Sequence, residues 1–330
     1  MRPELRQLTP TAGARILGLG SRQPEQIVTN ADIAARGVDT TDEWIRSRVG
    51  IEQRRFARAD ESVVDMAVDA GSKALADAGL APSDIDVVLV ATCTMPSFIP
   101  NAAGQTAERI GVHAAAAFDI NAACAGFCYG LGTASDMIRA GSARHVLVIG
   151  AEKLSDWVDP IDRSTCIIFA DGAGAAVVGP ANDSDRPGIG PIAAGSAGDL
   201  VNTIVIADRN SFIHQDGREV YRWAITKIAP VALRALALAG VTPADVDVLV
   251  PHQANLRIVE AIAKHIRAAG AAEDMVVADD IVHSGNTSSA SIPLALDHMR
   301  AEGRVRSGDL ALLVGFGAGL SYASQAVILP

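Results

Sequence analysis

One pattern occurs twice in this chain of 330 residues, and it constrains the fold more than any other feature. Residues 74–87 read Ala-Leu-Ala-Asp-Ala-Gly-Leu-Ala-Pro-Ser-Asp-Ile-Asp-Val, and residues 235–248 read Ala-Leu-Ala-Leu-Ala-Gly-Val-Thr-Pro-Ala-Asp-Val-Asp-Val, an offset of 161. Each copy spells a helix closed by Gly79 or Gly240, a turn containing Pro82 or Pro243, and then a strand rich in β-branched residues. The same offset pairs Asp119-Ile120 with Asp280-Ile281, and Asp136 and Arg139 with Asp297 and Arg300. Three matches in one register predict two copies of one α/β unit. We place the first half at 13–183 and the second at 184–330, with residues 1–12 expected to form a disordered arm.

Composition narrows the function. A net charge of −10 argues against nucleic acid and anionic membrane surfaces as partners. Four unevenly spaced cysteines form no Cys-x-x-Cys pair, so neither a zinc site nor a disulfide framework is expected, and a reduced, cytoplasmic setting fits. No metal or other cofactor is expected. The first thirteen residues hold no apolar run of the kind a signal peptide needs, and no stretch of about 18 apolar residues predicts a membrane span.

Cys124 lies where an apolar strand, expected to be buried, meets a helix of small residues. A thiol at a helix start faces unpaired N–H groups and the positive end of the helix dipole, both of which favour the nucleophilic thiolate. Taken alone, such a cysteine is more often inert packing. The repeat adds two partners. The strand of the second half runs into Pro251-His252, and Ser284-Gly285-Asn286-Thr287 is set opposite the Cys124 junction. Pseudo-twofold packing would therefore bring Cys124, His252 and Asn286 together, although His252 could be a core histidine and Asn286 a helix cap.

These residues resemble the thiolase-fold condensing enzymes, most closely the β-ketoacyl-acyl-carrier-protein synthase III family. The resemblance runs from about Ile16 to Leu329. It rests on Asp42-Glu43-Trp44-Ile45, Asn121-Ala122-Ala123-Cys124-Ala125-Gly126-Phe127, Asp162-Arg163-Ser164-Thr165, the segments 169–175 and 251–257, Gly285-Asn286-Thr287-Ser288, and Gly315-Phe316-Gly317-Ala318-Gly319. It implies an α/β fold of five layers, α-β-α-β-α, made of two pseudo-symmetric halves, and a homodimer. Two departures stand out: Ala318 replaces a glycine found in many relatives, and Ile99 stands where some acetyl-specific relatives have Phe.

The resemblance also implies the reaction. Cys124 takes an acyl group from acyl-CoA, and His252 and Asn286 stabilise the enolate formed when malonyl-acyl carrier protein loses carbon dioxide. The N–H groups of Cys124 and Ala318 form the oxyanion hole. Trp44 and Arg163 hold the CoA adenine, and Ile99 lines the acyl pocket. Arg222, Arg257 and Lys264 would form a basic face for the acidic carrier protein. Cys128 is read as packing, the segment Asp171–Ala175 as a tight strand connection, and the region from about Ala194 to Arg218 as a long loop over the acyl channel. Two other readings stay open: an acyltransferase that makes no carbon–carbon bond, and a non-catalytic subunit of a polyketide complex.

Overall fold

The computed structural model describes residues 11–181 and 188–330. The expected disordered arm at 1–12 lies outside the described residues up to position 10, as does the boundary placed between 183 and 184. Thr11 is anchored, its N–H donating to Arg139 O and its hydroxyl to Ile138 O, both at 3.1 Å.

Two five-stranded mixed sheets carry the fold. The first contains β1 (Ala14–Arg22), β2 (Val87–Ala91), β3 (Ala116–Ile120), β4 (Val146–Lys153) and β5 (Asp171–Pro180), in the order β1-β5-β4-β2-β3. The second contains β6 (Ala193–Ser196), β7 (Val248–Pro251), β8 (Val276–Val277), β9 (Leu310–Gly317) and β10 (Ser321–Ile328), in the order β6-β10-β9-β7-β8. Adding five to each strand number turns the first order into the second, and the senses match as well. β2 runs parallel to β3 and β4, and β5 antiparallel to β4 and β1; β7 and β10 repeat this.

The long helices pair in the same way. α1 (Val63–Ala78), α2 (Ala102–Ile110) and α3 (Gly126–Arg139) recur as α4 (Gly217–Ala239), α5 (Leu256–Ala268) and α6 (Ser291–Ala301). Apolar side chains of α3 and α6 share one buried cluster with Leu89, Val148, Val250 and Leu313 from both sheets. α1 and α2 cover the outer face of the first sheet, and α4 and α5 that of the second. Central strands are thus buried on both faces, which is why they read as apolar runs rather than as alternation. The layers are α-β-α-β-α, as expected.

The repeated motif performs the same work in both halves. Gly79 (φ 66°) and Gly240 (φ 72°) close α1 and α4 in the left-handed conformation that glycine adopts without a Cβ clash. Asp84 and Asp245 then accept the N–H groups of Ala81 and Thr242 at 2.8 and 2.7 Å, fixing the turn. The second aspartate reaches the next strand: Asp86 accepts from Arg144 and His145 N–H, and Asp247 from Leu310 N–H at 2.8 Å.

The halves drift out of this register near the centre. A short 3₁₀ turn, Ala123–Ala125, leads into α3, and Ser288–Ala290 leads into α6. Ala123 (φ 44°) and Ser288 (φ 50°) share the rare left-handed conformation, so Cys124 corresponds to Ser289. The pairing of Cys124 with 284–287 is therefore corrected. Two residues separate β3 from its turn, whereas the second half inserts the short helix Ile281–Ser284 followed by Gly285, Asn286 and Thr287.

Three further expectations change. β3 is an edge strand with Phe118 39% exposed, not a buried one. Asp171–Ala175 is the first half of β5 rather than a connection, and the Asp171 carboxylate ties Ala57 N–H and Ser155 to it. The region 194–218 begins inside β6 and ends inside α4, capped by Asp216. Between them lie a 3₁₀ stretch and a small hairpin of Ile204–Val205 with His214–Gln215.

Candidate active site

A cavity of about 1610 Å³ opens between the halves. Cys124 lines it from the turn before α3, held against the end of β9. A Cβ on Gly317 would stand 2.6 Å from Cys124 Cβ and 2.9 Å from Sγ, so only glycine leaves room for the thiol there. The N–H groups of Cys124 and Ala318 both reach the sulfur and favour its thiolate. Burial outweighs them, and the negative charge of Glu152 adds to it, so the thiol is pushed up to about 12. The sequence predicted the opposite balance. The two N–H groups favour the thiolate, yet the resting group is the thiol.

His252 follows β7 and is buried, its backbone N–H held by Val314 O at 2.8 Å. Burial drives its imidazole down to about 3, so it is neutral at physiological pH. Nδ1 lies 2.7 Å from Ser291 Oγ, which itself accepts the Gln253 N–H at 3.3 Å. Where the Ser291 hydroxyl donates to Nδ1, the ring proton is on Nε2. Phe316 packs edge-on against the ring, centroids 5.4 Å apart. Asn286 is buried, and its backbone pairs with the Phe169 segment on both sides. Its Oδ1 accepts Ser288 N–H at 2.9 Å, which leaves the amide NH₂ as its free donor. Cys124, His252 and Asn286 all line the one cavity, so the convergence read from the repeat holds.

Trp44 and Arg163 stand on the same cavity wall, the guanidinium 4.9 Å from the ring centroid. Asp39 holds Arg163 through its carbonyl and carboxylate. Ile99 does not line the cavity. It is 85% exposed, and the apolar lining of the cavity includes Leu154, Trp157, Phe169, Ile204 and Ile206. Arg222, Arg257 and Lys264 are exposed and do not line the cavity either. Arg257 stacks on Tyr221, which does, at 5.1 Å. Cys128 is fully buried in the central cluster, as expected of packing. Among the described residues no group of three His, Cys, Asp or Glu side chains could hold a metal ion, and no helix is long and apolar enough to cross a membrane.

Comparison with known proteins decides the family. Residues 118–198 match the model of 3-oxoacyl-(acyl-carrier-protein) synthase III, and residues 236–329 match that of its C-terminal part. The chain is 50% identical over 318 residues to β-ketoacyl-(acyl-carrier-protein) synthase III 4 of Streptomyces coelicolor, covering 96% of this chain and 99% of that one. The chain belongs to the synthase III family. The mycobacterial synthase III of Mycobacterium tuberculosis is 47% identical over 338 residues, covering 98% of this chain and 99% of that one. Among solved structures, the priming β-ketosynthase of the R1128 polyketide pathway superposes with a TM-score of 0.93 at 42% identity, over 99% of each chain. The synthase III of Aquifex aeolicus gives 0.89 at 40% identity, over 96% of this chain and 100% of that one.

Within this synthase III site, sequence reasoning missed Glu152. It is fully buried near the end of β4. Its Oε2 accepts from Thr92 Oγ1, Cys93 N–H and Thr94 Oγ1 at 3.1, 3.0 and 2.6 Å. Its Oε1 accepts from Cys93 Sγ, Ser288 Oγ and Ser289 Oγ at 3.4, 3.0 and 2.9 Å. The sequence carried a signal: a single acid closes the otherwise apolar run Val146–Ala151.

Proposed function

We propose that the protein condenses a short acyl-CoA starter with malonyl-acyl carrier protein, giving 3-oxoacyl-acyl carrier protein, CoA and carbon dioxide, and so begins fatty-acid or polyketide chains. The observation that carries this reading is one buried cavity holding a thiol, two N–H groups aimed at its sulfur, a neutral imidazole and a free amide donor. Cys124 attacks the thioester carbonyl and expels CoA, an acyl transfer to sulfur. His252 Nε2–H and the Asn286 amide then donate to the malonyl thioester oxygen. Loss of carbon dioxide creates the carbanion without a strong base, which suits an imidazole that cannot hold a second proton. The carbanion attacks the acyl-Cys124 carbonyl, whose oxyanion rests on the Cys124 and Ala318 N–H groups.

CoA enters past Trp44 and Arg163, where the adenine would replace one face of their stacking. Arg222, Arg257 and Lys264 offer the carrier protein a basic surface on a chain of net charge −10. We take the protein to be a cytoplasmic homodimer: β3 leaves a sheet edge open beside exposed Phe118, Phe98 and Ile99, which a second copy would cover. Intact-mass measurement after incubation with acetyl-, propionyl-, isobutyryl- and longer acyl-CoAs tests the reading, with Cys124→Ala as control. Acylation by one or more donors, absent in the control, is expected. No acylation by any acyl-CoA would defeat it.

A further inference from the structure

The thiol of Cys124 must lose its proton to attack, and the groups assigned so far do not take it. His252 is neutral, its Nδ1 is occupied by Ser291, and burial keeps it from accepting a proton near pH 7. Asn286 is no base. The carboxylates on the cavity wall serve elsewhere: Asp119 caps α2 at Ala102 and Ala103 N–H, and Asp162, Asp208 and Asp216 each close a local turn. Among the groups that act most strongly on Cys124, the one acid is Glu152.

The surroundings of Glu152 are unusual for a purely structural acid. Five donors converge on its two oxygens, joined by the Ser289 hydroxyl that is shared with Ala91 O, which fits an acceptor-only carboxylate, and among the described residues no cation pairs with it. The neighbouring Lys153 turns away to Arg58 O and Asp156. A buried carboxylate without a countercharge is expensive, and a neutral amide or hydroxyl would hold these loops together at lower cost. One of its donors, Ser288, lines the same cavity as Cys124, and its hydroxyl favours the Cys124 thiolate. The left-handed backbone of Ser288 (φ 50°) and the Asn286 acceptor on its N–H fix the turn from which its hydroxyl donates to Glu152 Oε1 at 3.0 Å.

We propose that Glu152 is the proton acceptor for Cys124, acting through the Ser288 hydroxyl. As the sulfur–carbon bond forms, the S–H proton passes to Ser288 Oγ, and the Ser288 proton passes to Glu152 Oε1. The carbon–sulfur bond to CoA breaks, and the departing thiolate takes a proton from solvent. Glu152 keeps its proton until condensation expels Cys124 as a thiolate, then returns it along the same hydroxyl. One solvent proton is consumed per turnover, balancing the malonyl carboxylate lost as carbon dioxide. The charge of Glu152 prevents a standing thiolate, so deprotonation and attack occur together, a general-base step. In this relay Ser288 receives the proton from sulfur, and Glu152 acts through it.

This inference deepens the condensing reading and depends on it. The test measures two half-reactions separately in wild type, Glu152→Gln and Ser288→Ala: acylation by acyl-CoA, followed by mass, and decarboxylation of malonyl-acyl carrier protein, followed by carbon dioxide release. Acylation should fall about 100-fold in both variants, while decarboxylation changes far less. The wild-type acylation rate should carry a solvent deuterium isotope effect that Ser288→Ala removes. Acylation at the wild-type rate in Ser288→Ala, or an equal fall of both half-reactions in both variants, would overturn the relay. If Glu152→Gln does not fold, Ser288→Ala still decides. A wild type that no acyl-CoA acylates would instead defeat the condensing reading itself.

Discussion

The turn that carries Cys124 and its counterpart in the second half share a backbone and differ in everything chemical. Both are 3₁₀ turns entered through a left-handed, non-glycine residue, and both rest on the end of a central strand. Strand register shows what lies beneath each. β2 pairs Leu89 with Val148, and β7 pairs Val250 with Leu313, so Glu152 and Gly317 occupy equivalent places. Under Ser288 and Ser289 a carboxylate fills the space and gathers their hydroxyls. Under Cys124 a glycine empties it. Duplication supplies the scaffold, and the groups proposed for catalysis lie where the duplication is broken: at this exchanged pair, and on the inserted segment that carries Asn286.

The comparison can be pressed hardest at the insertion. Asn286→Ala removes a donor for which the first half has no equivalent; condensation should fall about 100- to 1000-fold while Cys124 still accepts an acyl group, read by carbon dioxide release beside intact mass. Gly317→Ala would fill the emptied site. Misplacing the thiol by about 1 Å should cost roughly 100-fold in acylation, with about 1–3 kcal/mol lost in denaturant unfolding. Equal activity to wild type would show that the space is not needed.

A subtler test uses pH. His252 has a native value of about 3 against an ordinary 6.5, so between these limits the unfolded chain binds a proton that the native protein does not. Its stability contribution is therefore complete above pH 6.5 and is lost as pH falls toward 3, at about 1.4 kcal/mol per unit. Asp171, raised to about 6 by burial, acts in the opposite sense but is common to wild type and His252→Gln. The difference between their unfolding midpoints should narrow from pH 7 to pH 5. The smallest effect tests the sameness of the halves. Asp84→Ala and Asp245→Ala should each cost about 1 kcal/mol, and clearly unequal losses would show that the repeated turns are not equivalent.

Much of this was legible because the repeat is a physical instruction. Gly79 and Gly240, and the aspartates that follow them, specify a helix stop, a turn and a strand start in any context, so the two-halved architecture could be read from them. The convergence of Cys124, His252 and Asn286 followed from that symmetry. Its register did not, because a shared backbone conformation at Ala123 and Ser288 leaves no common residue type to align. The resting state of Cys124 was misjudged for a related reason: local N–H groups are visible in sequence, whereas the burial and the Glu152 charge that outweigh them come from distant strands. β3 was misread because an apolar residue carries no mark of whether it faces a core or a sheet edge, and Ile99, expected on the acyl pocket, lies exposed in a loop of the single chain.

Gly317 lies 193 positions after Cys124, and the space it leaves exists only when both sheets have closed on α3 and α6. Such distant contacts form late, after the loop-closure entropy of the intervening chain has been overcome. A partly assembled chain therefore carries Cys124 as an ordinary thiol with no cradle for an acyl group. Acyl-CoA supplied during refolding becomes a reporter of the final docking of the two halves, since labelling of Cys124 should lag behind the return of helical signal.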